Sequence, residues 1–161
     1  MKTDILFLDF DGVLNNGSNG HFQNINYDNV LPLNSVFYLY KKNPISIVIS
    51  SSWRVSYSLE EIKNTLNENG FVFNNKIIGT TPFVKTANYC SGHYIDKRKD
   101  EIAEWLDSNK EIVNNFIILD DIKPEMFGQY ESYVYHINPN KGLRFSDVTK
   151  ILKKLNDYTA E

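Results

Sequence analysis

At 161 residues, with 42% hydrophobic and 23% charged side chains, the chain has the composition of one ordinary globular domain over residues 1–161, long enough to bury a core without metal or disulfide staples. A lone cysteine, Cys90, excludes an internal disulfide and fits a reducing, cytoplasmic setting, while a net charge of −3 argues against a broad cationic face for nucleic acid. The N-terminal apolar run carries acids and so does not read as a signal peptide, and no stretch reaches the length of a membrane span.

Residues 5–9, Ile-Leu-Phe-Leu-Asp, form a continuous apolar run without alternation, the pattern of a strand buried on both faces of a parallel sheet. Asn15 to Asn29, rich in Asn and Gly, reads as a long rim loop. Leu33, Val36, Phe37 and Tyr40 then share one helix face, and a second buried strand is predicted at Ile45 to Ile49. Ser58-Leu59-Glu60-Glu61 is a capping box opening a helix that carries Ile62 and Leu66 and closes at Gly70. A short strand follows at Ile77 to Gly79, and then a second long connection, Thr81 to Asp96. Ile102, Trp105 and Leu106 mark a third helix, Phe116 to Leu119 a strand, and Tyr133 to Ile137 a less pure one. Val148, Ile151, Leu152 and Leu155 belong to a last helix that begins near Ser146. Strands alternating with helices in this way predict a doubly wound α/β fold with a mainly parallel central sheet.

In such sheets ligands bind outside the carboxyl ends of the strands, at the point where strand order reverses, so the residues that end each strand are the candidates. The first strand ends in Asp9-Phe10-Asp11-Gly12-Val13, the second in Ser50-Ser51-Ser52-Trp53-Arg54, and the fourth in Asp120-Asp121. Carboxylates massed at one point repel one another unless a cation joins them, and a donor set of hard oxygens suits Mg²⁺. A carboxylate is also a nucleophile toward phosphorus, forming an aspartyl-phosphate. One acid of Asp9-Phe10-Asp11 is free to attack while the other handles a proton. Gly12 permits a sharp exit that turns backbone N–H groups toward a phosphate, and a hydroxyl at the second strand end can donate to the same oxygens. Lys97, Arg98 and Lys99 precede the third helix; by themselves they read as a solvated face, yet one of them could reach the phosphate. No Gly-x-x-x-x-Gly-Lys is present, which excludes a P-loop enzyme, and Asp-x-Asp-Gly-Val fits a receiver-type signalling domain poorly.

These motifs, in this order, resemble the haloacid dehalogenase (HAD) superfamily of phosphatases and phosphotransferases. The matching segments are Phe7 to Val13, Ile47 to Arg54, Arg98 ahead of Ile102 to Leu106, and Phe116 to Asp121. With Ser-Ser-Trp-Arg and the later Gly142-Leu143, the chain looks like a small branch related to the HAD domains of Swiss-army-knife RNA-repair proteins. The resemblance implies Asp9 as nucleophile and Mg²⁺ ligand, and Asp11 as general acid and base with its main-chain carbonyl on the metal. It further implies Gly12, Ser51 and Arg98 as phosphate binders and Asp120 and Asp121 as the remaining metal ligands. Register leaves Ser50 open beside the favoured Ser51, and Arg98 stands where many relatives have Lys.

The implied activity is Mg²⁺-dependent hydrolysis of a phosphomonoester through an aspartyl-phosphate, the substrate being a small molecule, a nucleotide or a nucleic-acid end. The alternative is a HAD-fold binding or regulatory module with little turnover. Asp11 and Ser51 lie 40 residues apart, most of them used by one helix and one strand, so no large cap domain fits there or before Arg98 and an open site is expected. Tyr27, Phe22, Tyr89, Tyr94 and His93 on the two rim loops would either stack bases or pack on the body. Nothing points to an obligate protein partner or to a membrane.

Overall fold

In the computed structural model of the chain, which describes residues 2–17, 24–84 and 97–157, the apolar runs pair into a five-stranded sheet that is parallel throughout. Its strands are β1 (Thr3–Leu8), β2 (Ile45–Ile49), β3 (Ile77–Thr80), β4 (Val113–Asp120) and β5 (Val134–His136), in the order β3-β2-β1-β4-β5. The chain moves outward from β1 to β3 and then returns to the other side of β1, so strand order reverses between β1 and β4. Among the described residues four α-helices connect the strands or follow them: α1 (Tyr27–Leu39), α2 (Leu59–Glu68), α3 (Arg98–Asn109) and α4 (Phe145–Asp157). This is a Rossmann-like arrangement, and no large cap domain interrupts it among the described residues.

Alternate side chains of each strand enter opposite layers. Leu6, Leu8, Ile47, Ile49, Ile117 and Leu119 pack with residues of α1, α2 and α4, including Leu33, Ile62 and Ile151. Ile5, Phe7, Val48 and Ile118 pack with Ile102 and Trp105 of α3 and with Phe127. Both faces are covered by apolar side chains, which is why the strands read as continuous apolar runs. At the start of α2 the predicted capping box is formed by Ser58 and Glu61, and the Ser58 backbone N–H and hydroxyl hold the Glu61 carboxyl below the usual range.

Three features depart from the sequence expectation. Helix α1 begins at Tyr27, within the segment expected to be loop through Asn29, because Asn26 caps it by accepting from the Asp28 N–H at 2.9 Å. Asn29 is buried in that helix and donates to the carbonyls of Lys141 and Leu143 at 3.0 and 2.9 Å. Gly142 lies against this amide at φ 65°, so a Cβ there would both strain the backbone and strike Asn29. Several asparagines of the segment thus hold specific places. Strand β4 starts earlier than its apolar run, at Val113, since Asn114 is held by a side-chain bond to Asp4 at 2.7 Å. Between β4 and β5 the chain forms 3₁₀ turns over Pro124–Tyr133, whose period of three hides from a search for helical or strand periods. They send Phe127 into the α3-side core and stack Tyr133 on Phe116 with ring centroids 4.2 Å apart.

Candidate active site

Thr81, Ser50 and Asp9, each one residue beyond β3, β2 and β1, line up with Asp120 and His136, the last residues of β4 and β5. Backbone bonds set this row: Asp9 N–H to Leu119 O at 3.1 Å, Ser50 N–H to Leu8 O at 2.9 Å and Thr81 N–H to Ile49 O at 2.9 Å, with His136 paired to Asp120. Strand alternation puts Asp9, Ser50 and Asp120 on the layer of Phe7, Val48 and Ile118, facing α3. The row therefore crosses the β1/β4 reversal, where an open sheet receives its ligand.

Asp9, Asp120 and Asp121 each offer a carboxyl oxygen within 4.8 Å of the others, and Asp9 and Asp120 are buried. Arg98, the first residue of α3, reaches into this group: its Nη1 is 2.8 Å from Asp9 Oδ2 and 2.5 Å from Asp120 Oδ2. Burial first and Asp9 next push the Asp120 carboxyl up to about 7, against the pull of Arg98. The same two causes push Asp121 up to about 6. Burial works against the Arg98 charge, but Asp9 and Asp120 outweigh it and hold the guanidinium above its ordinary value. Of its neighbours, Lys97 sits over the Phe83 ring, 5.5 Å from the centroid, and Lys99 lies on the surface beside Asp100. The three converging carboxyls are hard oxygen donors, and among the described residues no His or Cys joins them, a set that suits a hard divalent cation such as Mg²⁺.

The other acid of the first motif is held apart from this group. The Asp11 carboxyl accepts from the Asn15 amide at 3.0 Å and from the indole Nε1–H of Trp53 at 3.1 and 3.2 Å. Burial raises its pKa, and those two hydrogen bonds oppose the rise. Gly12, at φ 77°, leaves room for the Asp121 carboxyl, into which any Cβ would run. Its N–H, expected to face a phosphate, is donated to Asn15 Oδ1 at 2.8 Å.

A family model described as the HAD domain in Swiss Army Knife RNA repair proteins matches residues 5–148. The chain belongs to this family. No curated protein and no solved structure matches it. Membership makes this a HAD domain of a phosphohydrolase-like family, with the acidic group at the edge where open α/β sheets take their ligands.

Within this HAD domain the second motif divides its hydroxyls. Ser51 Oγ caps the 3₁₀ turn Ser52–Val55 by accepting from Trp53 N–H at 3.3 Å. Ser50 Oγ is fully buried on the Asp9 side of the sheet and has no hydrogen-bond partner among the described residues. Arg54, quoted with the second motif but given no role from the sequence, ties the strand ends to α3. Its guanidinium bonds to the carbonyls of Ser51 at 2.7 Å and Thr81 at 3.0 Å and pairs with Glu101 at 2.5 Å. Burial raises the Glu101 carboxyl, with Arg54 pulling the other way. Since Glu101 is one turn beyond Arg98, this pair fixes the turn that delivers Arg98 to the acids. Tyr27 is the first residue of α1 and lies against Gly70; Phe22, Tyr89, Cys90, His93 and Tyr94 fall outside the described residues. No helix among the described residues is long and apolar enough to cross a membrane.

Proposed function

We propose that this HAD domain is a Mg²⁺-dependent phosphomonoester hydrolase working through an aspartyl-phosphate on Asp9. The observation that carries the reading is the convergence of Asp9, Asp120 and Asp121 within 4.8 Å, with Arg98 bridging Asp9 and Asp120. So crowded a set of acids calls for cations in its working state. Asp9, Asp120, Asp121 and the main-chain carbonyl of Asp11 would hold Mg²⁺, which would neutralise charge on the transferring phosphoryl group.

The chain's own groups then divide the work. An Asp9 carboxylate oxygen bonds to phosphorus as the bond to the leaving oxygen breaks, and the Asp11 carboxyl gives its proton to that oxygen. In the second step the Asp11 carboxylate takes a proton from water as the water oxygen bonds to phosphorus, releasing inorganic phosphate and freeing Asp9. Arg98 binds phosphate oxygens, and its planar guanidinium offers two parallel N–H groups where lysine offers a point charge. For the hydroxyl donor the geometry favours Ser50 over Ser51, because Ser50 Oγ is buried beside Asp9 without a partner and Ser51 Oγ is committed to its cap.

For the substrate, the family's place in RNA repair proteins supports a phosphorylated nucleic-acid end, and a site without a large cap can take a polymer. The test is phosphate release from an aryl phosphate, from phosphorylated metabolites and from 3′- and 5′-phosphorylated oligonucleotides, each with Mg²⁺ and with excess chelator. Mg²⁺-dependent release, highest on an oligonucleotide end, is expected. Full activity in chelator, or no release from any of them, would sink the reading.

A further inference from the structure

The Asp11 carboxyl is held by a side chain that the steps above leave unused. Trp53 lies 42 residues away in sequence, yet its indole N–H meets both Asp11 oxygens. The indole is itself fixed: its ring stands edge-on to Phe10 with centroids 5.4 Å apart, leans on Tyr57 at 5.6 Å, and its backbone N–H is tied to Ser51 Oγ. Asn15 adds a second neutral donor, and because its carbonyl oxygen accepts from Gly12 N–H its amide is oriented as well. Two residues whose positions are set by other contacts thus converge on one carboxyl.

The chemistry requires such a restraint. Asp11 is two residues from Asp9, and a fourth carboxylate in the group would be drawn to any cation bound there. A carboxylate engaged with a metal is a poor carrier of a proton. We propose that Trp53 is a positioning residue for Asp11: its indole N–H, with Asn15, holds the carboxyl outside the Asp9, Asp120 and Asp121 group and keeps it a proton carrier. The proposal rests on the phosphatase reading of the same site.

Trp53→Phe keeps an aromatic ring against Phe10 and removes the N–H. Hydrolysis of an alkyl phosphate should fall about 10- to 100-fold, the usual scale for losing a partner that orients a working ligand. An aryl phosphate, whose leaving oxygen hardly needs a proton, should lose about threefold or less. In an Asp11→Asn background the same substitution should change nothing further on the alkyl ester. Equal losses on the two esters, or losses that add in the double variant, overturn the proposal and leave the phosphatase reading standing. If Asp11→Asn is itself indifferent to the leaving group, the acid–base assignment is what fails, and the proposal with it. A second measurement does not depend on turnover. The chain has two tryptophans, so the Trp53 indole N–H resonance is identified by its loss in Trp53→Phe. It should shift and exchange faster with solvent in Asp11→Ala while that of Trp105 stays in place; a Trp53 resonance blind to Asp11→Ala overturns the proposal whatever the activity.

Discussion

Asp4 and Asp9 stand near opposite ends of β1, both buried at 0% and 3% exposure, and their surroundings are opposites. Around Asp4 the donors are neutral: the Tyr40 hydroxyl, the Asn43 amide at 3.1 Å and the Asn114 amide at 2.7 Å, from the end of α1, the turn after it and the start of β4. Around Asp9 stand two more carboxyls and a shared arginine. A buried polar group satisfied by hydrogen bonds ties segments together at little cost. A buried carboxyl set among carboxyls carries repulsion that the fold must offset elsewhere, and such crowding is characteristic of a working site. One strand therefore ends in a staple on one side and in the candidate site on the other. The difference is measurable.

The largest effect is expected from Asp9→Asn. The amide is nearly isosteric and a poor nucleophile, so turnover should vanish. Stability of the metal-free protein should hold or rise, because one repulsion is removed. Activity assays on the purified variant, paired with urea unfolding, check both halves. Substantial residual turnover in a folded Asp9→Asn protein would end the nucleophile assignment.

A smaller effect is the pH dependence of stability without metal. With Asp120 raised to about 7 and Asp121 to about 6 from an ordinary value of 3.8, the folded protein keeps protons that the unfolded chain has released. Stability then falls as pH rises through the interval from about 4 to 7, since there the native state binds more protons. Urea midpoints in chelator should drop across this interval, Mg²⁺ should flatten the drop at its upper end, and Asp121→Asn should lessen it. A metal-free midpoint that climbs from pH 4 to 7 would mean that these acids are not crowded as described.

How far the site could be read from the sequence follows the same division. Asp9 and Asp120 were legible because each ends an unbroken apolar run, and two such runs in one parallel sheet must end at the same edge. Arg98 was legible only through the family pattern; the charges around it read as a solvated face, and that also concealed Glu101 and its ion pair with Arg54. The choice between Ser50 and Ser51 turns on the last residue of β2, where a shift of one position moves a side chain to the other face. Trp53 was visible as a strand-exit aromatic, but nothing in the sequence says that its N–H meets Asp11. Asp4 gave no signal at all. An acid inside an apolar run has meaning only through Tyr40, Asn43 and Asn114, which pairing and packing bring to it.

The smallest expected effect belongs to the Asp4 end and tests whether that cluster is only a staple. Tyr40→Phe removes one neutral donor and leaves the ring in the core, so unfolding at neutral pH should become easier by about 1 kcal/mol, the usual net worth of one such bond. Catalytic rates should not move, because the proposed catalytic edge lies at the other end of β1. The sign can then be reversed by pH. Burial first, and the hydrogen bond and charge of Asp4 next, hold the Tyr40 hydroxyl well above its ordinary value of 10.0. Above pH 10 the unfolded chain ionises this tyrosine while the folded protein keeps it neutral, and the unfolded state gains that ionisation free energy. The stability that Tyr40 contributes is therefore fully present below pH 10 and lost as pH rises toward its folded value. Tyr40→Phe has no such group to ionise. Tyr135, whose pKa is likewise raised, by burial and then by Asp147, is common to both proteins and cancels in the comparison. Denaturant midpoints of the two proteins, measured side by side from pH 7 to 11, should converge above pH 10 and then cross. A gap that stays constant through that range would show the Tyr40 hydroxyl ionising as freely in the folded protein as in the unfolded chain, and the cluster around Asp4 would not be the closed network described.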